Sequence, residues 1–231
     1  KIIVATDIHY LAEELAGNRC QSFMSSVESG DGRVLQYGWE ILDAFIDDVV
    51  EQKPDLVILT GDLTMNGEKQ SHEELAQKLE TLSENGIEVA VIPGNHDINN
   101  PYARKFTSDG TVKTDSITAD EFAQIYSDFG YVAADSRDPA SLSYLYKLDD
   151  YYWLLMLDSC QYEPENKVEG RIKESTLAWM DEQLLKAREQ GIFVLPIAHH
   201  NLLAQSRMYT TQCAMDNNGE VIDLLQKYRL P

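Results

Sequence analysis

Short apolar runs alternate with amphipathic stretches along most of this chain. Residues 2–5, 56–60, 89–92 and 192–198 form continuous apolar runs, each followed at once by polar residues. Such runs, bounded by turn-forming residues, predict buried strands. Residues 143–148 and 152–157 predict two more, paired through a turn at Asp149-Asp150. Between them the period changes. Residues 38–52 carry Ile41, Leu42, Phe45, Ile46, Val49 and Val50 at helical spacing, a stripe that marks an amphipathic helix used for packing. A second helix follows Ser71-x-x-Glu74, with a stripe of Leu75, Leu79 and Leu82 and an end at Gly86; a third follows Thr118-x-x-Glu121. Both starts have the form of a capping box. Residues 175–190, ended by Gly191, and 219–229 predict the last two helices. Residues 11–34, 99–116, 131–140 and 162–174 lack a period and are expected as loops, with a short helix near 12–15. The order predicts an α/β domain with a mixed sheet.

The polar residues that follow the strands bring in chemistry. Residues 2–5 lead into Asp7 and His9, residues 56–60 into Gly61-Asp62, residues 89–92 into Pro-Gly-Asn95-His96-Asp97, and residues 192–198 into His199-His200. Open α/β folds keep their sites at the ends of strands. In an extended chain Asp7 and His9 point to one side, so a carboxylate and an imidazole converge, a donor pair that suits a borderline divalent metal. Gly94 is expected to allow a sharp turn. Taken singly, each position is also compatible with a surface carboxylate or a satisfied histidine. Of the five histidines, however, four lie at these strand ends. The fifth, His72, is expected to be solvated in the first turn of its helix. Trp179 is assigned to packing, and Asp158 to a structural role.

Length and composition narrow the class. A chain of 231 residues with 43% hydrophobic and 25% charged residues is an ordinary globular sequence with room for a real core. No apolar run approaches the roughly 20 residues of a membrane span. A formal charge of −20 disfavours nucleic acid and anionic membrane as partners. It would also slow a phosphate substrate unless cations gather at the site. Cys20, Cys160 and Cys213 show no C-x-x-C spacing, which argues against a thiolate metal site and leaves one bridge open. The chain starts at Lys1 without Met, which suggests removal of something upstream and leans toward an exported protein; the compartment and the oligomeric state stay open.

The set D-x-H at Asp7 to His9, G-D at Gly61-Asp62, G-N-H-D at Gly94 to Asp97 and a later strand ending in His199 resembles the calcineurin-like metallophosphoesterase family, in order and over nearly the whole chain. The resemblance implies a mixed β-sandwich flanked by helices, a four-layer αββα fold, in one domain over residues 1–231. It implies two divalent metal ions (Mn, Fe or Zn). Asp7 and His9 would hold the first, Asp62 would bridge both, and Asn95 and His199 would hold the second. A metal-bridging hydroxide would attack phosphorus, with His96 as general acid and Asp97 orienting it or bracing the loop. Two departures stand out. The family's C-terminal G-H-x-H motif is absent, as if the final strand were missing. Met65-Asn66 follows Gly61-Asp62-Leu63-Thr64, where the protein-phosphatase branch has Asp-Arg. The G-D-L-T form resembles the branch acting on cyclic nucleotides and other small phosphodiesters, so a small-molecule phosphoester is the expected partner. A phosphomonoesterase using the same site, and a metal-deficient binding relative, are the alternatives. Residues 99–150 form an insertion that could wall the substrate side.

Overall fold

A computed structural model describes residues 1–30, 34–204 and 214–228. In chain order the strands and α-helices are β1 (Ile2–Ala5), α1 (Gln21–Ser29), α2 (Gly38–Gln52), β2 (Leu56–Leu59), α3 (Lys69–Glu84), β3 (Glu88–Val91), β4 (Arg104–Thr107), β5 (Gly110–Lys113), α4 (Ala119–Ile125), β6 (Ser136–Arg137), β7 (Tyr144–Lys147), β8 (Tyr152–Leu157), α5 (Glu174–Gln190), β9 (Phe193–Ala198) and α6 (Asn218–Lys227). The first three long runs pair in parallel in the order β1-β2-β3. The later strands form a mixed sheet, β6-β7-β8-β9, with β7 and β8 antiparallel and β8 and β9 parallel.

Alternation along β7 and β8 shows how the layers stack. Tyr144, Tyr146, Leu154 and Met156 belong to the core shared with β2, β3, α2 and α3. Their neighbours Leu145, Trp153, Leu155 and Leu157 belong to a second core with Trp179, Met180 and Leu184 of α5 and Val221 and Leu225 of α6. A strand whose two faces feed two cores is the middle of a layered fold. The Tyr144 hydroxyl donates to the Val91 carbonyl at 2.9 Å and thereby ties the two sheets together. The result is a mixed α/β fold whose sheets are flanked by helices, as expected.

Several local expectations need correction. β1 is not covered on both faces: it pairs with β2 on one side, and Ile2 and Val4 are exposed. Residues 11–34 hold more structure than a loop, with a 3₁₀ segment at Glu13–Arg19 and then α1. Residues 99–116 contain the β4–β5 hairpin, and the short β6 lies within 131–140. Ser71 does not cap α3. That helix starts at Lys69, and the Ser71 hydroxyl accepts instead from the Ala12 N–H. The box at Thr118 and Glu121 is present as expected. Cys20 and Cys160 are free thiols, while Cys213 lies outside the described residues. The final helix closes at Lys227, and Arg229 also lies outside them. No helix among the described residues is long and apolar enough to cross a membrane.

Candidate metal centre

The site sits where β1, β2, β3 and β9 release the chain. Its backbone is strained: Asp7, His9 and Asp62 have φ of 55°, 48° and 48°. Left-handed conformations are uncommon for residues with a Cβ, cost of order 1–3 kcal/mol and cluster at functional sites. Asp7 and His9 therefore converge through two left-handed residues, rather than through the extended backbone expected from their spacing. Backbone bonds hold the turn: the Asp7 N–H donates to the Gly61 carbonyl and the His9 N–H to the Asp62 carbonyl. Gly94 does not have a positive φ. Its role is close approach, because a Cβ there would lie 2.0 Å from the Asp62 nitrogen and 2.2 Å from its Oδ1. No side chain fits at residue 94 while Asp62 stays in place.

Asp62, buried, is the hub. Its Oδ2 lies 3.7 Å from His9 Nε2 and 4.0 Å from His96 Nε2, and its Oδ1 lies 3.5 Å from His199 Nε2. Asp7 Oδ1 is 3.8 Å from His9 Nε2. His9, Asp62 and His96 form one group whose ligand atoms lie within 4.8 Å of one another; Asp7, Asp62 and His199 form a second. Asn95 Oδ1 faces His199 Nε2 at 3.2 Å. All the residues expected as ligands from sequence are thus brought to one place.

The hydrogen bonds fix which nitrogen faces the centre. His199 Nδ1 lies 2.9 Å from the Thr60 carbonyl and His96 Nδ1 lies 2.6 Å from the Met65 carbonyl. A carbonyl only accepts, so each Nδ1 carries the hydrogen and each Nε2 lone pair points at Asp62. This is the tautomer that a metal ligand needs, anchored as metal-binding imidazoles usually are. The His199 Nε2 and Asn95 Oδ1 lone pairs then face each other, an arrangement that a cation between them would relieve. The donor set of imidazoles, carboxylates and one carboxamide fits a borderline divalent metal.

Asp97 is fully buried. Its carboxylate accepts from the Leu63, Thr64 and Gly94 N–H groups and from the Thr64 hydroxyl. Those bonds tie the turn after β2 to the turn after β3, which makes Asp97 a brace; the His96 ring is oriented by Met65. Burial and the nearby Asp62 push the Asp97 carboxyl up to about 6. His200 turns away from the centre, into bonds with Ser159 and Val168, and burial pushes it down to about 4. Asp158 accepts from Leu142, Cys160 and Tyr162, as a structural residue does. His72 is not solvated. It is fully buried, with Nε2 3.0 Å from the Asp97 carbonyl and Nδ1 2.9 Å from the Tyr126 hydroxyl.

The model of the calcineurin-like phosphoesterase family matches residues 1–230. A solved structure, of a dimetal phosphatase from Danio rerio, superposes with a TM-score of 0.63 at 13% identity, over 98% of this chain and 77% of that one. That likeness is one of fold. No curated protein matches.

Proposed function

The chain belongs to the calcineurin-like phosphoesterases, and from that premise we propose a dimetal hydrolase of small phosphodiesters. The observation that supports it most is the convergence of Asp7, His9, His96 and His199 on the buried Asp62 carboxylate, with Asn95 against His199. In this reading Asp7, His9 and Asp62 hold one divalent ion, and Asp62, Asn95 and His199 hold the other. Bound there, two such ions supply positive charge for the phosphoryl oxygens and acidify the attacking water.

The chain's own residues do the rest. Asp62 offers one oxygen to each side of the centre. The Thr60 and Met65 carbonyls keep the His199 and His96 rings in place through the chemistry. His96, at the edge of the centre and the more exposed of these two imidazoles, takes a second proton at Nε2, beside the one that the Met65 carbonyl holds at Nδ1, and passes it to the departing alkoxide. Asp97 keeps both turns in register. In a protein of −20 formal charge, a pair of cations places positive charge where an anionic substrate must dock.

The test is turnover of bis(p-nitrophenyl) phosphate and of p-nitrophenyl phosphate by the protein with Mn²⁺. Faster turnover of the diester is expected. Preference for the monoester would replace the diester reading by a phosphomonoesterase. Tight Mn²⁺ uptake with turnover of neither would leave a binding protein.

A further inference from the structure

Residues 95–98 carry four consecutive carbonyls that, among the described residues, no backbone N–H takes. Each is taken by a side chain instead. The Asn95 and Ile98 carbonyls accept from Asn166 Nδ2 at 2.8 and 2.9 Å. The His96 carbonyl accepts from Asn100 Nδ2 at 3.0 Å, and the Asp97 carbonyl from His72 Nε2 at 3.0 Å. The donors come from the segment before α5, from the insertion and from α3. The loop bearing Asn95 and His96 is thus held by three side chains, two of them, Asn166 and His72, distant in sequence.

Asn166 is the one of the three that takes two carbonyls. Both acceptors lack hydrogens, so only the amide nitrogen can face them, and both of its hydrogens are used. Its neighbours on each side, 163–165 and 167–169, are exposed, while Asn166 itself is half-buried. It is the inward anchor of an outward segment, which Lys167 N–H closes on the Gln161 carbonyl. His72 sits deep in the core, where a substitution would disturb packing as well. Asn166 can be changed without opening the core.

We propose that Asn166 is a positioning residue: it sets where Asn95 and His96 stand, and so links the 162–174 segment to the Asn95 side of the metal centre. This rests on the dimetal reading. The two amide bonds fix the backbone on both sides of His96, and the Asn95 backbone fixes the reach of its own Oδ1 toward His199. Without the amide, both carbonyls must find water, and the loop keeps the bond from Asn99 Nδ2 to the Tyr162 carbonyl at its far end but loses the two beside Asn95 and Ile98.

Asn166→Asp is the sharpest variant. It has the same shape, lacks the donor, and aims a carboxylate at two carbonyl oxygens. Mn²⁺ titration of the metal-stripped protein, amide hydrogen exchange of the metal-free protein and thermal melting are measured together. In Asn166→Asp, one of two Mn²⁺ steps is expected to weaken by about 10- to 100-fold, the range seen when partners behind metal ligands are removed. The other step stays put, exchange at residues 95–99 accelerates and the melting temperature holds. Asn166→Ala shows the same split, smaller. Equal weakening of both steps with a large loss of melting temperature would make Asn166 merely structural and overturn the proposal; so would unchanged exchange. Failure of the wild-type protein to take up Mn²⁺ would sink the dimetal reading instead, and this proposal with it, whatever the exchange shows.

Discussion

At the scale of single residues, the division of labour between Asp62 and His96 is the sharpest claim. His96 contributes to the centre twice. Its backbone N–H donates to Asp62 Oδ1 at 2.9 Å, and its ring reaches Asp62 Oδ2 only at 4.0 Å. Truncating the ring therefore leaves the bond that holds Asp62. His96→Ala is expected to keep both metal ions and to slow turnover by on the order of 10²–10⁴, the usual contribution of a general acid. Asp62→Ala is expected to lose both ions and all activity. Metal analysis beside turnover checks this, and equal metal loss in the two variants would make His96 a ligand. The ligand candidates were legible in the sequence because their chemistry is carried by residue identity just after apolar runs. The anchors were not, because the Thr60 and Met65 carbonyls that orient the two rings belong to the backbone and leave no mark on residue type. His72 was misread for a related reason. Its helix stripe shows only apolar positions, and the polar partners that make its burial tolerable lie outside its helix, on Thr64 in the preceding turn and on Asp97 and Tyr126, further along the chain.

At the scale of elements, legibility followed burial. β2 is buried at every position and was plain. In α1 only Phe23 is buried, and in β4 only Phe106; one apolar anchor per element is too little to impose a period. Element ends were legible where they need a particular conformation. α3 closes with the Gly86 N–H on the Ser83 carbonyl and the Ile87 N–H on the Leu82 carbonyl, the paired bonds of a Schellman end. Gly86 has φ of 75°, and a Cβ there would meet nothing within 4 Å. The cost of Gly86→Ala is therefore conformational alone, about 1 kcal/mol, read as a lower urea midpoint at unchanged slope. A loss of several kcal/mol would mean that the end of α3 is packed more tightly than these contacts show.

At the scale of the whole molecule, the buried histidines tie stability to pH. Burial pushes His72 down to about 3, against about 6.5 for a histidine in an unfolded chain. The folded form thus refuses a proton that the unfolded form accepts throughout that window. Stability rises with pH where the unfolded state binds more protons, so this group takes stability away as pH falls from about 6.5 toward 3. His200, pushed down to about 4, acts in the same direction. Asp97 acts in the opposite one. Its carboxyl is raised to about 6, so acidification relieves a cost already present at neutral pH. Relief of repulsion within a chain of −20 formal charge also opposes the histidines. Wild-type stability alone cannot separate these contributions, but a difference can. Between His72→Gln and the wild type, the Asp97, His200 and net-charge contributions largely cancel. What remains is a constant packing offset and the His72 proton. Unfolding free energies from urea titrations at pH 7, 6, 5 and 4 should therefore shift in favour of the variant by about 1.4 kcal/mol per unit below pH 6. A difference that stays flat would mean that the His72 ring takes up a proton inside the folded core, and that its bond to the Asp97 carbonyl survives in the charged form.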